Sequence, residues 1–393
     1  MPGPLDGLKV LDFTTLLPGP FATLILADMG ADVLRAGSGS RPDLVELLPP
    51  FIGSSGVSSK LAYLGRGKRA ITLDLKKPRS KEIVHRLIQT YDVLIEQFRP
   101  GVMAKLELDY DRLKHVNPEL VYCSLTGYGQ NGPMEQRAGH DINYLSQAGV
   151  MSYSGRKETG PVLSAFQAAD LAGGSQSAVI AILAGVFCRN ATGKGQHLDV
   201  AMTDCMAPFN ALAGTDFLVD GLGPKREEHL LNGGSLYDFY ETSDGEYMSF
   251  GGLEPKFSAA FLEAIGRPDL VSGGVVPGNL SEVKKEVRAI IRSKTRDEWV
   301  RIFRDVDACF EPVLSLEEAL TSPHSEARGL VVSVPAGGGT TVRQLAHPIK
   351  FSETAPHYRH IGCKPGTHNR EVMTELGYPE EEIELMRQEG IFN

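Results

Sequence analysis

The chain has 393 residues, of which 42% are hydrophobic and 23% are charged, and its formal net charge is −9 at pH 7. This length is too great for one ordinary hydrophobic core, so it predicts two domains. The acidic balance implies no basic face and argues against a nucleic-acid partner. Five scattered cysteines, none in C-x-x-C spacing, argue against a disulfide framework and a zinc site, and they fit a reducing compartment.

The sequence predicts neither export nor a membrane span. Residues 1–6 have no basic stretch and no apolar core, which argues against a signal peptide. The longest apolar run, residues 178–187, is too short to cross a bilayer. We therefore expect a cytoplasmic protein without a membrane partner.

The N-terminal half alternates predicted strands and helices. A strand at residues 8–13, a helix at 21–30 and a strand at 32–35 favour a parallel sheet with right-handed crossovers. Similar patterns predict strands at residues 71–75, 92–98, 120–125 and 197–201, and helices at 78–90, 171–190 and 204–220. We expect an α/β fold with a large Rossmann-like domain. The G-x-G-x-x-G dinucleotide fingerprint is missing from it.

A Gly-, Pro- and charge-rich stretch at residues 221–229 predicts a linker after a large domain of residues 1–220. Beyond it, Ser243-Asp244-Gly245 predicts a hairpin, and three helical patterns follow. These elements predict a smaller α/β domain at residues 230–325. The remaining segment, residues 326–393, has short β patterns and a charged helix at its end.

Two polar segments of the large domain are candidates for ligand contact. Residues 38–59 are rich in Gly, Ser and Pro and predict a long loop, which is usually functional or mobile. Arg66-Gly67-Lys68-Arg69 leads into a predicted strand. Three cations in four residues fit either a solvated surface or a site for a phosphorylated ligand, and the pattern leaves both open.

His140 and Asp170 lie in a region that is otherwise poor in charge, and Asp170 directly precedes a long apolar helix. Two acid–base groups of different chemistry beside a buried scaffold fit proton transfer, because such sites tune pKa values by burial and by neighbours. An aspartate before an apolar helix is, however, most often a helix N-cap. The spacing alone therefore leaves a structural role open for Asp170.

Gly139-His140-Asp141-Ile142-Asn143-Tyr144 resembles the signature of the α-methylacyl-CoA racemases, which belong to the family III CoA-transferase superfamily. The run Gly252-Leu253-Glu254-Pro255-Lys256-Phe257 is also similar to the racemases. The resemblance extends over nearly the whole chain. Further matching pieces, several of them shared with the transferases, lie at residues 8–12, 17–21, 64–69, 126–133 and 193–196.

The resemblance implies a racemase or epimerase of 2-methylacyl-CoA thioesters that works by 1,1-proton transfer through an enolate. His140 and Asp170 are then the two bases, and Glu254 is the acid that orients His140. An imidazole backed by a carboxylate has a fixed tautomer and a raised basicity. The residue-based alternative for Glu254 is an N-cap at the helix that Pro255 opens.

The resemblance also implies that CoA is bound as part of the substrate. The residues expected to bind substrate or CoA are Arg35, Arg41, Arg66, Lys68, Arg69, Leu73, Asp74, Phe98, Arg99, Gly139, Asp141 and Tyr144. We expect no cofactor, because the sequence has no metal-ligand cluster, phosphate-cradling P-loop or nicotinamide fingerprint. The family further implies a homodimer of interlocked subunits, in which residues 326–393 pack back on the large domain.

Two other functions remain open. In a family III CoA-transferase the carboxylate of Asp170 would be a nucleophile that forms an anhydride intermediate, and the insertion at residues 38–59 looks more like those enzymes. The racemases also carry a Pro-Gly-Ser-Arg loop that this chain lacks, so Arg41 or Arg35 is expected to replace its phosphate contact. A non-catalytic CoA-binding protein is the third possibility. The presence of His140, Asp170 and Glu254 together argues against it.

Overall fold

A computed structural model describes residues 3–270 and 276–392; the ends of the predicted ranges 1–6, 1–220 and 326–393, and part of 230–325, lie outside the described residues. The strands are β1 Lys9–Phe13, β2 Asp32–Gly37, β3 Arg69–Thr72, β4 Val93–Glu96, β5 Val121–Thr126, β6 Gln196–Ala201, β7 Asp238–Glu241, β8 Tyr247–Phe250, β9 Phe310–Pro312, β10 Val331–Gly337 and β11 Thr340–Leu345.

The helices alternate with the strands in the N-terminal part and cluster between β8 and β9. They are α1 Pro18–Asp28, α2 Leu44–Leu47, α3 Ser59–Leu64, α4 Pro78–Ile88, α5 Val102–Lys105, α6 Tyr110–Leu113, α7 Asp141–Gln147, α8 Gln176–Thr192, α9 Met202–Met206, α10 Ala213–Asp220, α11 Pro255–Ala264, α12 Leu280–Ile291, α13 Arg296–Phe303, α14 Leu316–Thr321, α15 Pro323–Arg328, α16 Asn369–Glu375 and α17 Glu380–Gln388. A π-helical segment, Ala169–Ser175, directly precedes α8.

The six strands β1–β6 form one parallel sheet in the order β3-β2-β1-β4-β5-β6. At its centre, Leu11 of β1 is in register with Leu34 of β2 and Leu94 of β4, and all three side chains are fully buried. Strands buried on both faces read as apolar runs, which is why the sequence predicts them. The predicted α/β class with a parallel sheet is confirmed. The chain order reverses between β1 and β4, and open parallel sheets bind ligands beside such a reversal, at the carboxyl ends of the strands.

The first of two compact units consists of Met1–Ala148, Ser164–Ala207 and His324–Asn393. Its C-terminal segment completes the sheet edge at β3. The backbone N–H of Thr72 donates to Asn369 Oδ1 at 2.9 Å, and the backbone N–H of Ala70 donates to His368 Nδ1 at 3.0 Å.

The second unit consists of Gly149–Leu163 and Pro208–Pro323. Its antiparallel sheet, in the order β7-β8-β9, packs on helices through an aromatic core. The rings of Phe250 and Phe261 stack with centroids 4.1 Å apart, and the indole N–H of Trp299 donates to the Ile291 carbonyl at 2.7 Å.

The units differ from the predicted domain ranges because segments that are distant in sequence pair within the second unit. Tyr153 donates from its hydroxyl to Asn210 Oδ1 at 2.9 Å, and Arg156 forms an ion pair with Glu227 at 3.1 Å. The predicted linker, residues 221–229, is therefore packed against residues 153–157 through side-chain contacts. Composition alone indicates a polar stretch but not what it contacts.

Two predicted helices are broken and a third is altered at its start. The predicted helix at 204–220 gives way to α9 and α10, because Pro208 between them has no N–H to donate. The charged helix near the C-terminus divides at Gly377, which has a left-handed φ of +83° and separates α16 from α17. The predicted helix at 171–190 instead begins with the π-helical segment, and α8 continues to Thr192.

The predicted loop at residues 38–59 is ordered and contains α2. Arg35, which is buried within β2, forms ion pairs with Asp43 at 3.0 Å and with Glu46 at 2.9 Å. Asp43 also accepts hydrogen bonds from the backbone N–H groups of Leu16 and Val45. These polar contacts hold the insertion against the loop that follows β1.

Candidate active site

A cavity of about 550 Å³ lies among the loops that follow β1, β4 and β5 in the first unit. It is therefore at the carboxyl ends of the strands, beside the reversal of strand order between β1 and β4. His140 and Asp170 both line this cavity, together with the predicted contact residues Phe98, Arg99, Gly139 and Tyr144.

His140 occupies the extended position directly before α7, with φ −132° and ψ 176°. Its backbone N–H donates to Asn143 Oδ1 at 3.1 Å, and its carbonyl accepts from the backbone N–H of Asn143 at 2.8 Å. The imidazole is exposed and lines the cavity. The helix start therefore fixes the backbone of His140 and leaves its imidazole accessible to a ligand.

Asp170 lies in the first turn of the π-helical segment, and its side chain caps no helix. Short π-helical insertions are rare and are frequent at functional sites. Burial, reinforced by the negative charge of Asp141, raises the pKa of the Asp170 carboxyl to about 7. Near neutral pH this group is therefore present in both protonation states and can either take or give a proton.

Asp141 performs the capping that the sequence alternative assigned to Asp170. Its Oδ1 accepts hydrogen bonds from the backbone N–H of Ala169 at 2.6 Å and of Asp170 at 3.0 Å. The residue was predicted to bind substrate or CoA. Its Oδ1 is engaged by the backbone that carries Asp170, and its role in contact with substrate or CoA stays a prediction.

Tyr144 forms the buried floor of the cavity. Its hydroxyl donates to the Gly139 carbonyl, and its ring packs edge-on against Tyr128 with centroids 5.2 Å apart. A Cβ atom at Gly127 or Gly139 would lie 2.4 or 2.7 Å from Cε1 of this ring, so both positions require glycine. Burial, together with the charge of Asp170, raises the pKa of Tyr144 to about 12, and the phenol therefore remains a hydrogen-bond donor.

The cavity also contains residues that the sequence analysis did not assign. Arg137 and Glu135 line it three and five positions before His140, and Gln97 lines it next to Phe98. Gln97 is held by the Gly19 backbone N–H, which donates to its Oε1 at 3.1 Å. These three residues lie close in the sequence to predicted site residues, and this closeness is the signal that could have found them.

The basic run at residues 66–69 does not line the cavity, and Arg66 and Lys68 are buried in contacts within the fold, so the prediction that these cations contact CoA phosphates stays a prediction. Arg66 is 1% exposed, and its guanidinium donates to both carboxylate oxygens of Asp28 at 2.6 and 2.9 Å. Lys68 is also 1% exposed and donates to Thr23 Oγ1 at 2.6 Å. Arg69 forms ion pairs with Asp32 at 3.0 Å and with Glu375 at 2.8 Å.

Four other predicted contact residues also lie outside the cavity lining. Arg35 is buried in its ion pairs with the insertion, and Leu73 belongs to the hydrophobic core. Asp74 accepts from the backbone N–H of Lys76 at 3.1 Å, as an aspartate in a turn does. Arg41 is exposed, and its backbone N–H donates to Ser38 Oγ at 3.2 Å. Among the described residues that line the cavity, the guanidinium groups are therefore those of Arg99 and Arg137.

Glu254 belongs to the second unit, where it directly precedes α11. Its carbonyl accepts from the backbone N–H of Phe257 at 3.0 Å, while its exposed side chain makes no capping hydrogen bond. The side chain is therefore available for a contact, and its predicted role as the acid that orients His140 stays a prediction. Within residues 3–270 and 276–392, no three His, Cys, Asp or Glu side chains are grouped to hold a metal ion.

The model of CoA-transferase family III matches residues 5–369. The chain belongs to CoA-transferase family III. It is 35% identical over 391 residues to the alpha-methylacyl-CoA racemase of Homo sapiens, covering 98% of this chain and 97% of that protein. It is 34% identical over 387 residues to the succinate–glutarate CoA-transferase of Agrobacterium fabrum, covering 95% of this chain and 96% of that protein.

The fold comparison agrees with the family assignment. The crystal structure of a CAIB/BAIF family protein from Brucella suis superposes with a TM-score of 0.84 at 30% identity, covering 96% of this chain and all of that one. The predicted resemblance to the family III superfamily is thus confirmed. Racemases and transferases both occur among the family members that this chain resembles.

Proposed function

We propose that this family III protein is a racemase of 2-methylacyl-CoA thioesters. The observation that supports it is a single cavity lined by an imidazole, His140, and by a carboxylic acid, Asp170, with a pKa of about 7. A thioester acidifies its α-carbon, so one base can remove the α-proton while the other, already protonated, returns a proton to the opposite face. Asp170 can serve in either role near neutral pH, because its two protonation states are close in free energy.

The proton transfer passes through an enolate, whose oxygen requires fixed N–H donors. The first N–H groups of α7 have no acceptor within the helix, and α7 starts at Asp141, directly after His140. We assign the backbone N–H of Asp141 to the enolate oxygen. In the same proposal the carboxylate of Glu254 orients His140, and Arg99 and Arg137 contact the anionic part of CoA. No cofactor beyond the substrate's own CoA is needed for this chemistry.

An apolar wall supports an acyl substrate rather than a dicarboxylate. Leu16, Leu17 and Leu44 line the same cavity. The insertion continues from Leu44 with exposed side chains, Leu47 at 57% and Leu48 at 41%. An exposed apolar patch beside a cavity is typical of a surface that binds an apolar ligand. This wall fits a hydrocarbon chain better than the second carboxylate of a succinate or a glutarate.

We also propose a cytoplasmic homodimer. Of the described helices, the continuous one formed by Ala169–Thr192 is long and apolar enough to cross a membrane by composition, and 39% of its most apolar window is buried. Ile180 and Phe187 on it are 68% and 78% exposed. Monomeric proteins rarely leave such a surface uncovered, and a second copy of the chain would cover it. Sedimentation of the purified protein at micromolar concentration tests the dimer, and a monomer there would overturn it.

The alternative function is transfer of CoA between carboxylic acids, with Asp170 as the nucleophile. It is favoured by the similarity to the succinate–glutarate CoA-transferase and by the position of the Asp170 carboxyl on the cavity wall. In that reaction the Asp170 carboxylate would attack the donor thioester, forming a mixed anhydride and releasing the CoA thiolate. The thiolate would then attack the aspartyl carbonyl, giving an aspartyl-CoA thioester and releasing the donor acid as a free carboxylate. His140 would take no part in the covalent steps.

The deciding experiment is incubation of one epimer of a 2-methylacyl-CoA in deuterated water, followed by NMR of the α-proton. A racemase replaces the α-proton with deuterium and yields both epimers. His140→Ala and Asp170→Ala should each abolish racemisation, while the surviving base still exchanges the proton on its own face. By family resemblance, His140 serves the 2S epimer and Asp170 the 2R epimer. Hydroxylamine capture of an acyl group on Asp170, without any deuterium incorporation, would establish the transferase instead.

A further inference from the structure

One side chain joins the two backbone segments that carry the proposed bases. Asp141 directly follows His140 at the start of α7, and its Oδ1 accepts from the backbone N–H groups of Ala169 and Asp170 at 2.6 and 3.0 Å. These N–H groups belong to the first turn of the π-helical segment, where a helix has no acceptors of its own. These hydrogen bonds therefore join the start of α7 to the start of the π-helical segment, which are far apart in the sequence.

We infer that Asp141 is a positioning residue that fixes Asp170 relative to His140 and, through its negative charge, sets the protonation balance of Asp170. The kinetic consequences rest on the proposed racemase function. The geometric link and the charge effect belong to the protein without substrate, so they are measurable separately.

The charge effect can be assigned to Asp141 among the groups around Asp170. The helices packed on the π-helical segment are α1, α7, α8 and α9. Their titratable or charged residues that bear on this region are Asp28 on α1, Asp141 and Tyr144 on α7, Cys188 and Arg189 on α8, and Asp204 and Cys205 on α9; Arg99, Glu135, Arg137 and His140 line the shared cavity. Burial is the main cause of the raised pKa of Asp170, and the charge of Asp141 is the further cause. Asp28 is already neutralised by its ion pair with Arg66.

Two substitutions separate the positioning from the charge. Asp141→Asn keeps a carbonyl oxygen that can accept both N–H groups and removes the negative charge. Asp141→Ala removes both the acceptor and the charge. Asparagine and aspartate are nearly equivalent as helix caps, whereas alanine is poor. A residue that only stabilised the helix would therefore show a loss in the alanine variant and no change in the pH dependence of the asparagine variant.

Asp141→Asn keeps the cap, since Asn replaces Asp as a cap at little cost, so the readout for this variant is the pH dependence of exchange. Without the charge the pKa of Asp170 falls. Two limbs of the pH–rate profile should therefore move to lower pH. One is the acid limb measured with the epimer from which Asp170 removes the proton. The other is the alkaline limb measured with the epimer to which Asp170 supplies the proton. For Asp141→Ala we expect the same shift and a maximal rate reduced about tenfold or more, because the two bases are no longer held together.

Titration of the Asp170 carboxyl by carbon-13 NMR in the substrate-free protein tests the charge effect without any reaction. The pKa should fall in Asp141→Asn and stay unchanged in Asp297→Asn, which removes an exposed carboxylate from the first turn of α13. An unshifted pKa in Asp141→Asn, or a wild-type maximal rate in Asp141→Ala, would overturn the inference. If the alanine variant does not fold, Asp141→Ser, which keeps an acceptor without charge, takes its place. A wild-type protein that exchanges no α-proton would refute the racemase proposal and leave the titration valid.

Discussion

The basic run at residues 66–69 and the pair Arg99 and Arg137 contain the same side-chain chemistry in two opposite environments. In the run, Arg66 and Lys68 are buried and fully engaged with Asp28, Thr23 and the chain itself. Arg99 and Arg137 are exposed, and both line the cavity of His140 and Asp170. The denser cluster of cations is thus buried within the fold, while the isolated ones line the cavity. Accessible charge, rather than the local density of charge in the sequence, marks a candidate anion site.

The sharpest test of this contrast is Arg66→Ala. It leaves the buried carboxylate of Asp28 without its partner, and breaking a buried ion pair typically costs about 3–5 kcal/mol. Burial already raises the pKa of Asp28, so part of the penalty will appear as proton uptake. Urea unfolding should show the loss. The folded fraction should keep its KM for acyl-CoA. A raised KM at unchanged stability would instead indicate that Arg66 binds the acyl-CoA.

Lys68 provides a pH-dependent version of the same test. Burial lowers the pKa of its ammonium to about 8, and the negative charge of Asp12 opposes part of this decrease. The folded protein therefore binds this proton more weakly than the unfolded chain, whose lysine pKa is about 10.4. The free energy of unfolding should rise as the pH increases from about 8 to about 10, since the cost of the buried charge is relieved there. Denaturant titrations of wild type and Lys68→Met should differ in this rise, and equal slopes would contradict the burial of Lys68.

At the cavity the expected effect is on binding rather than on folding. Arg99→Ala and Arg137→Ala should each raise the KM for acyl-CoA about tenfold, as expected when one hydrogen bond to a charged group is lost. The unfolding midpoint should change little, because both side chains are exposed. Arg112→Ala is the matched control, since Arg112 is an exposed arginine outside the cavity lining. Unchanged KM values in both cavity variants would remove these two residues from the anion site.

The smallest effect is expected at Arg69, the partly exposed member of the run. Its partners Asp32, Glu371 and Glu375 are partly exposed, with 35%, 52% and 54% of their side-chain surface accessible. Ion pairs of this kind contribute about 1 kcal/mol or less. Arg69→Ala should therefore lower the free energy of unfolding by no more than this, and less at high salt. A loss as large as that of Arg66→Ala would erase the distinction between buried and exposed cations within the run.

The sequence predicts the framework well, because each strand of the parallel sheet is an apolar run that carries its own signal. His140 and Asp170 are assigned by resemblance, and the cavity brings both into one lining. What the sequence does not show depends on contacts between distant positions. The pairing of Arg66 with Asp28, and of Arg156 with Glu227, is invisible in the local pattern. The capping of Asp170's segment by Asp141 is hidden for the same reason, since a cap is expected near its own helix.

The contacts of His368 and Asn369 with β3 have a consequence for how the protein is made. β3 is the outer strand of the parallel sheet, and its outward N–H groups, at Ala70 and Thr72, are satisfied by side chains that come 298 and 297 positions later. During synthesis this sheet edge stays open until almost the whole chain has left the ribosome. Open edges are templates for pairing with other chains. Loss of the last 26 residues would therefore be expected to cause aggregation before it affects any reacting group.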